Sequence, residues 1–165
     1  MRNETCTNCG RNARVIVGDY LFEEMGLPVT LANVDLIQCG HCGNIDPIIP
    51  NMHDLMNLIA FAVIAHPCEL TGDEVRFLRK YLGMRGKELS AQLGIDPTTL
   101  SKWENGGEIG PQSDRLLRLF VLSKSEELGK KVKQLLEMLS QITECPPAHR
   151  SQLKIDTETM EYQYV

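Results

Sequence analysis

From Arg14 to Cys39 the chain alternates at strand period. Ala13-Arg14-Val15-Ile16-Val17 is a β-branched run, and Val29 to Ile37 alternates between apolar and polar positions. Turn signals at Gly18-Asp19 and Gly26-Leu27-Pro28 separate the two, so the pattern predicts short strands of a small sheet. After Pro47 and Pro50 the composition of residues 51–65 turns helical, and His66-Pro67 closes that helix because a residue before proline resists the α region. Every position from Leu58 to Ala65 is apolar, so the helix should be covered on more than one side. It reads as an interdomain or dimer contact, with a ligand site as the alternative.

At Thr71 the period changes for good. Thr71-Gly72-Asp73-Glu74 has the form of a capping box and opens a helix with Val75, Leu78, Tyr81 and Leu82 at helical spacing. Residues 87–93 make a second helix, Gly94-Ile95-Asp96 a tight turn, and residues 97–105 a third, with Asp96 as N-cap and Pro97 at its first position. Gly110-Pro111 opens a fourth, striped by Leu116, Leu117, Leu119, Phe120 and Leu122. A fifth is predicted from about 126 to 142, and its stripe is either core or dimer seam. Cys145-Pro146-Pro147 ends the helical part. The tail alternates around Leu153-Ile155 and Tyr162-Tyr164, which fits an edge strand with a register break or a mobile arm.

Six cysteines sharpen this picture. Cys6-Thr7-Asn8-Cys9-Gly10 and Cys39-Gly40-His41-Cys42-Gly43 are two C-x-x-C knuckles, each followed by a turn-forming glycine. Four thiolates at that spacing suit one tetrahedral zinc ion, Cys6, Cys9, Cys39 and Cys42 being the ligands. A redox dithiol pair or disulfides are the other uses of such cysteines. Four thiolates leave no open position for a catalytic water, so the zinc, one per chain, is expected to be structural. It would also contribute folding energy to a sheet too small to fold unaided. His41 reads as a spectator between ligands, and Cys68 and Cys145 as ordinary buried or free thiols. The fold class expected is mainly α with a small N-terminal β zinc module and a helix-turn-helix five-helix bundle. The segments are 1–48 for the zinc module, 49–70 for the apolar helix and linker, 71–142 for the helical domain and 143–165 for the tail.

The net charge of −5 disfavours nucleic acid only until it is divided along the chain. Residues 1–70 hold 3 Lys and Arg against 8 Asp and Glu, residues 71–133 hold 12 against 9, and residues 134–165 hold 2 against 5. Any phosphate-binding face must lie in the middle segment, where Arg85 and Lys87 at the start of the second helix suit backbone clamps. Residues 55–65 are too short to span a bilayer, and the N-terminus shows no signal-peptide apolar region. A cytoplasmic protein without membrane contact is expected. No catalytic cluster of His, Asp or Glu and no phosphate-cradling glycine loop appears, so an enzyme is not expected.

Residues 87–106, Lys87-Glu88-Leu89-Ser90-Ala91-Gln92-Leu93-Gly94-Ile95-Asp96-Pro97-Thr98-Thr99-Leu100-Ser101-Lys102-Trp103-Glu104-Asn105-Gly106, carry helix-turn-helix spacing. Gly94 permits the turn, small Ser90 lets the helices cross, and Leu89, Leu93, Ile95, Leu100 and Trp103 fill the wedge. Residues 71–122 resemble the lambda-repressor-like, XRE-type domain, closing on Trp103-Glu104-Asn105-Gly106. With the two-knuckle module ahead of it, the chain over residues 6–122 resembles the MqsA/YgiT-type antitoxins.

The resemblance implies that the first turns of the third helix enter the major groove, with Pro97, Thr98, Thr99 and Lys102 against double-stranded DNA. Thr98 would meet a base edge or a thymine methyl, Lys102 a guanine, and Thr99 and Ser101 phosphate or flanking groups. Gly86 stands where the family often has glutamine, which removes one customary phosphate contact. Arg79 and Glu104 match an ion pair that orients the recognition helix in such domains, the alternative being an exposed pair of little consequence. The resemblance further implies a homodimer on a palindromic operator, a protein toxin as partner, and an autoregulating antitoxin. A stand-alone zinc-containing repressor is the other reading.

Overall fold

The computed structural model describes residues 3–23, 25–125 and 152–164. The chain divides into two compact units, one of Met1–Glu23, Pro28–Leu55 and Ser151–Val165, the other of Glu24–Leu27 and Met56–Arg150.

The first unit is a six-stranded sheet. Its strands are β1 (Asn3–Thr5), β2 (Asn12–Phe22), β3 (Val29–Gln38), β4 (Ile45–Pro47), β5 (Leu153–Asp156) and β6 (Glu161–Tyr164), in the order β1-β2-β3-β5-β6, with β4 also on β3. The long antiparallel pair β2–β3 is the frame, its register shifting between Gly18 and Tyr20 opposite Asn33, whose φ is +53°. β3 is long enough to hold two partners along one edge. β4 takes its Leu36–Gln38 end and β5 its Val29–Ala32 end. Val29 and Leu31 before the register shift, Val34 and Leu36 after it, and Phe22, Leu153 and Ile155 on the neighbouring strands are all buried.

The tail expected at 143–165 is neither a loose arm nor a lone edge strand. Its described residues form the β5–β6 hairpin, and β5 pairs with β3 in parallel. Leu153 and Ile155 are the apolar residues that gain burial there, while Thr157 N–H and hydroxyl both donate to the Ala32 carbonyl, at 3.2 and 3.1 Å. The Asn33 amide donates to Asp156 at 2.7 Å across the same junction. The fifth helix predicted at 126–142 lies outside the described residues.

Among the described residues five helices follow the pattern read from the period of 3.6. α1 (Met52–Ala65) is capped by Asn51, which accepts the Asp54 N–H at 3.2 Å, and it continues from the first unit into the second. Ile59, Ala60, Ala62, Val63 and Ile64 are all buried, as its all-round apolar composition requires. α2 (Gly72–Tyr81), α3 (Gly86–Leu93), α4 (Pro97–Glu104) and α5 (Pro111–Lys124) complete the second unit. The Thr71–Glu74 capping box forms as read, the Glu74 N–H reaching Thr71 Oγ1 at 3.2 Å and the Thr71 N–H reaching Glu74 Oε2 at 2.7 Å. Val75, Phe77, Leu78, Leu89, Leu100, Leu117 and Val121 make the core.

One polar feature lies inside that core. Arg118 and Asp114 on α5 are both fully buried and paired at 2.6 Å. The Arg118 guanidinium also donates to the Ile64 carbonyl at 2.7 Å and to the His66 and Cys68 carbonyls at 2.6 Å, while Asp114 accepts the Leu70 N–H at 2.6 Å. Carbonyls at a helix C-terminus have no partner within the helix, and Arg118 supplies it for the end of α1. Cys68 is disulfide-bonded, which corrects the free-thiol reading of that residue. Cys145 lies outside the described residues.

Candidate metal centre and nucleic-acid interface

The two knuckles are equivalent turns at one end of the sheet. Cys6 and Cys39 end β1 and β3, and in each knuckle the glycine after the second cysteine donates back to the first cysteine's carbonyl, Gly10 to Cys6 at 2.9 Å and Gly43 to Cys39 at 3.0 Å. Gly10 and Gly43 have φ of +70° and +76°, a region that a Cβ disfavours. The register of β1, β2 and β3 brings the turns face to face. Cys6 Sγ lies 3.6 Å from Cys42 Sγ and Cys9 Sγ 3.6 Å from Cys39 Sγ, and all four sulfurs lie within 4.8 Å of one another. Thiolates 2.3 Å from a tetrahedral zinc stand about 3.8 Å apart, so the cluster fits such an ion.

Backbone dipoles prepare one of the four sulfurs, that of Cys39. The N–H groups of Cys42 and His41 point at Cys39 Sγ and draw its thiol pKa down to about 6, favouring the thiolate that a metal requires. Cys6, Ala13 and Cys39, with Ile37 against them, form a small apolar cluster beneath the knuckles. A metal bound by the four sulfurs would add cohesion at this end. His41 is exposed and bonds Arg11 at 2.9 Å, outside the sulfur set.

In the second unit α3 and α4 meet across Gly94, whose φ and ψ of 67° and 30° are left-handed. Ser90, Leu89, Leu100 and Trp103 are buried at the crossing, whereas Leu93 and Ile95 are half-buried and close its mouth. α4 is oriented from behind by α2. Arg79 forms a two-pronged pair with Glu104, at 2.5 and 3.1 Å, with side chains 17% and 14% exposed. It donates to the Met84 carbonyl as well, and Arg76 reaches the Glu104 carbonyl. At 14–17% exposure the pair is too shielded for the exposed-pair reading.

Residues 75–120 match the helix-turn-helix family. This segment is an XRE-type helix-turn-helix domain. No curated protein and no solved structure matches the chain. The family supports a DNA-binding transcription regulator, and no helix among the described residues is long and apolar enough to cross a membrane.

Within the helix-turn-helix, Pro97, Thr98, Ser101 and Lys102 are exposed on α4, and Thr99 is half-buried. Arg85 and Lys87 are exposed at the start of α3, where the Glu88 carboxylate accepts the Arg85 N–H at 2.6 Å. A groove of about 590 Å³ brings Arg85, Gly86 and Lys87 together with Pro97 and Ser101, while Thr98 and Lys102 lie outside its lining.

Three features were not legible in the sequence. Arg76 carries no signal beyond its place on α2. Gly72 reads as a capping-box spacer, yet a Cβ there would stand 2.6 Å from the Trp103 carbonyl, so α2 touches the recognition helix backbone to backbone. Asp96 reads only as an N-cap. In the structure it accepts both the backbone N–H of Thr98 at 2.8 Å and its hydroxyl at 2.6 Å.

Proposed function

We propose that the protein is a sequence-specific transcriptional autoregulator and the antitoxin of a type II toxin–antitoxin pair. The observation that carries the DNA-binding part is α4, whose exposed Thr98, Ser101 and Lys102 stand on a helix braced by the Arg79–Glu104 pair. A rigid helix with polar, exposed side chains is the form in which the major groove is read. Arg85 and Lys87 beside it supply sequence-independent phosphate affinity.

The antitoxin part rests on the other unit and on the resemblance. The segments Met1–Glu23, Pro28–Leu55 and Ser151–Val165 hold 9 Asp and Glu against 4 Lys and Arg, and four thiolates around one structural Zn2+ would add further negative charge. Such a surface suits a small basic protein, the character expected of an RNA-cleaving toxin. Exposed Leu116 and Leu119 on α5 support a homodimer, and a two-fold protein reads half-sites about one helical turn apart.

Two measurements test this reading. The protein should bind its own promoter more tightly than random DNA. Lys102→Ala should relax base preference, while Arg85→Ala weakens binding to every sequence and lowers the salt slope by about one unit. Equal affinity for promoter and random DNA refutes the regulator. Co-expression with the product of an adjacent short basic gene should yield a stable complex and suppress that product's toxicity. A promoter-binding protein with no such neighbour is a stand-alone repressor.

A further inference from the structure

The leading turn of the recognition helix carries a carboxylate that its capping role does not use up. Asp96 is exposed, with φ and ψ of −70° and 139° ahead of Pro97. Its Oδ1 takes both protons of Thr98, from the N–H at 2.8 Å and from the hydroxyl at 2.6 Å. A hydroxyl has one proton. With that proton on Asp96, Thr98 Oγ1 presents only lone pairs outward. The other oxygen, Oδ2, accepts no hydrogen bond from a described residue. The side chain stays ionised, held below the usual carboxylate range by the Thr98 hydroxyl, then by the Thr98 N–H, with a further pull from the Lys102 charge. The helix tip therefore presents two acceptors, Thr98 Oγ1 and Asp96 Oδ2, followed one turn later by the cationic donor Lys102.

We propose that Asp96 is a specificity-determining residue, which makes the tip of α4 select a base bearing an amino donor and reject guanine and thymine at that position. The proposal deepens the reading of this protein as a sequence-specific regulator and rests on it. In the major groove only cytosine N4 and adenine N6 offer donors, whereas guanine shows N7 and O6 and thymine shows O4, all acceptors. An ionised carboxylate placed against an acceptor or a phosphate is repelled, so the same group that favours the right base penalises the wrong ones. Lys102 has the opposite demand and reads a neighbouring acceptor, which gives the half-site two positions of contrary character.

The test is selection from a library of random-sequence duplexes by wild type, Asp96→Asn, Thr98→Val and Lys102→Ala, followed by titration of the selected site and its single-base variants. Asn caps a helix as well as Asp but adds a donor and removes the charge. Wild type should lose about tenfold or more in affinity when one particular cytosine or adenine becomes guanine or thymine. Asp96→Asn and Thr98→Val should each erase most of that discrimination at the same base pair, and Lys102→Ala should relax a different one. If Asp96→Asn lowers the melting temperature, Thr98→Val decides, because it keeps the backbone cap. A selected site with unchanged base preferences in both variants overturns the role of Asp96 alone. If wild type selects no sequence, the regulator reading falls and the role of Asp96 with it.

Discussion

Replacing Arg118 by methionine tests how the helical unit is held together. Methionine matches the unbranched stem of arginine but carries no donors. It would leave the buried Asp114 carboxylate without its cation at 2.6 Å and the carbonyls of Ile64, His66 and Cys68 without their common partner. Breaking a buried pair from one side costs about 3–5 kcal/mol. A carbonyl that loses this donor and finds no other has a desolvation cost of about 1–3 kcal/mol, in part recovered by entering water. A loss of at least about 3 kcal/mol is therefore expected. For a unit of this size that lowers the melting temperature by about 12 °C or more, read from the helical circular dichroism signal. The double variant Asp114→Leu with Arg118→Met should be more stable than Arg118→Met alone, since it removes the stranded charge. An Arg118→Met protein within about 1 kcal/mol of wild type, or strict additivity in the cycle, would refute the assignment of Arg118 as the clamp on α1.

Cys39→Ser should abolish the expected single zinc per chain in elemental analysis and melt the sheet, while the helical signal and DNA affinity persist; a folded, metal-free sheet would sink the zinc site. Gly72→Ala should cost about 1–3 kcal/mol and weaken promoter binding, because its Cβ would lie 2.6 Å from the Trp103 carbonyl and 2.9 Å from the Gly106 nitrogen; unchanged stability and affinity count against that contact. The Asp156 carboxyl is held below its usual range by the Thr159 N–H, the Asn33 amide and the Glu158 N–H. A lowered folded pKa stabilises fully above the unfolded value of about 4 and is lost as pH falls through the folded pKa. Acid titration of the sheet should thus show a destabilising limb below about pH 4 that Asp156→Asn flattens, and an unchanged limb argues against the assignment.

The capping box at Thr71, the four helices that follow it as far as Lys124, the two knuckles and the turn at Gly94 were legible because each depends on residues only a few positions apart. Periodicity, caps and C-x-x-C spacing are local properties, and local chemistry is what a linear sequence displays. The composition of each knuckle likewise marked Cys6, Cys9, Cys39 and Cys42 as one ligand set, although nothing local says that Cys6 faces Cys42 and Cys9 faces Cys39. That pairing comes from the register of β1, β2 and β3. The parallel addition of β5 to β3 joins residues more than 120 positions apart and could not be read from alternation that fitted an edge strand or an arm equally well. Arg118 stands within the leucine stripe of α5 and carries no local signal of its role. Only packing showed that the Ile64 and His66 carbonyls at the end of α1 meet its guanidinium. At the recognition helix the division is sharper still: sequence named Thr98 and Lys102 as readers, but where the Thr98 proton points is settled by the geometry of Asp96. Hydrogen-bond direction depends on ångström-scale placement, and that placement exists only once the chain is folded.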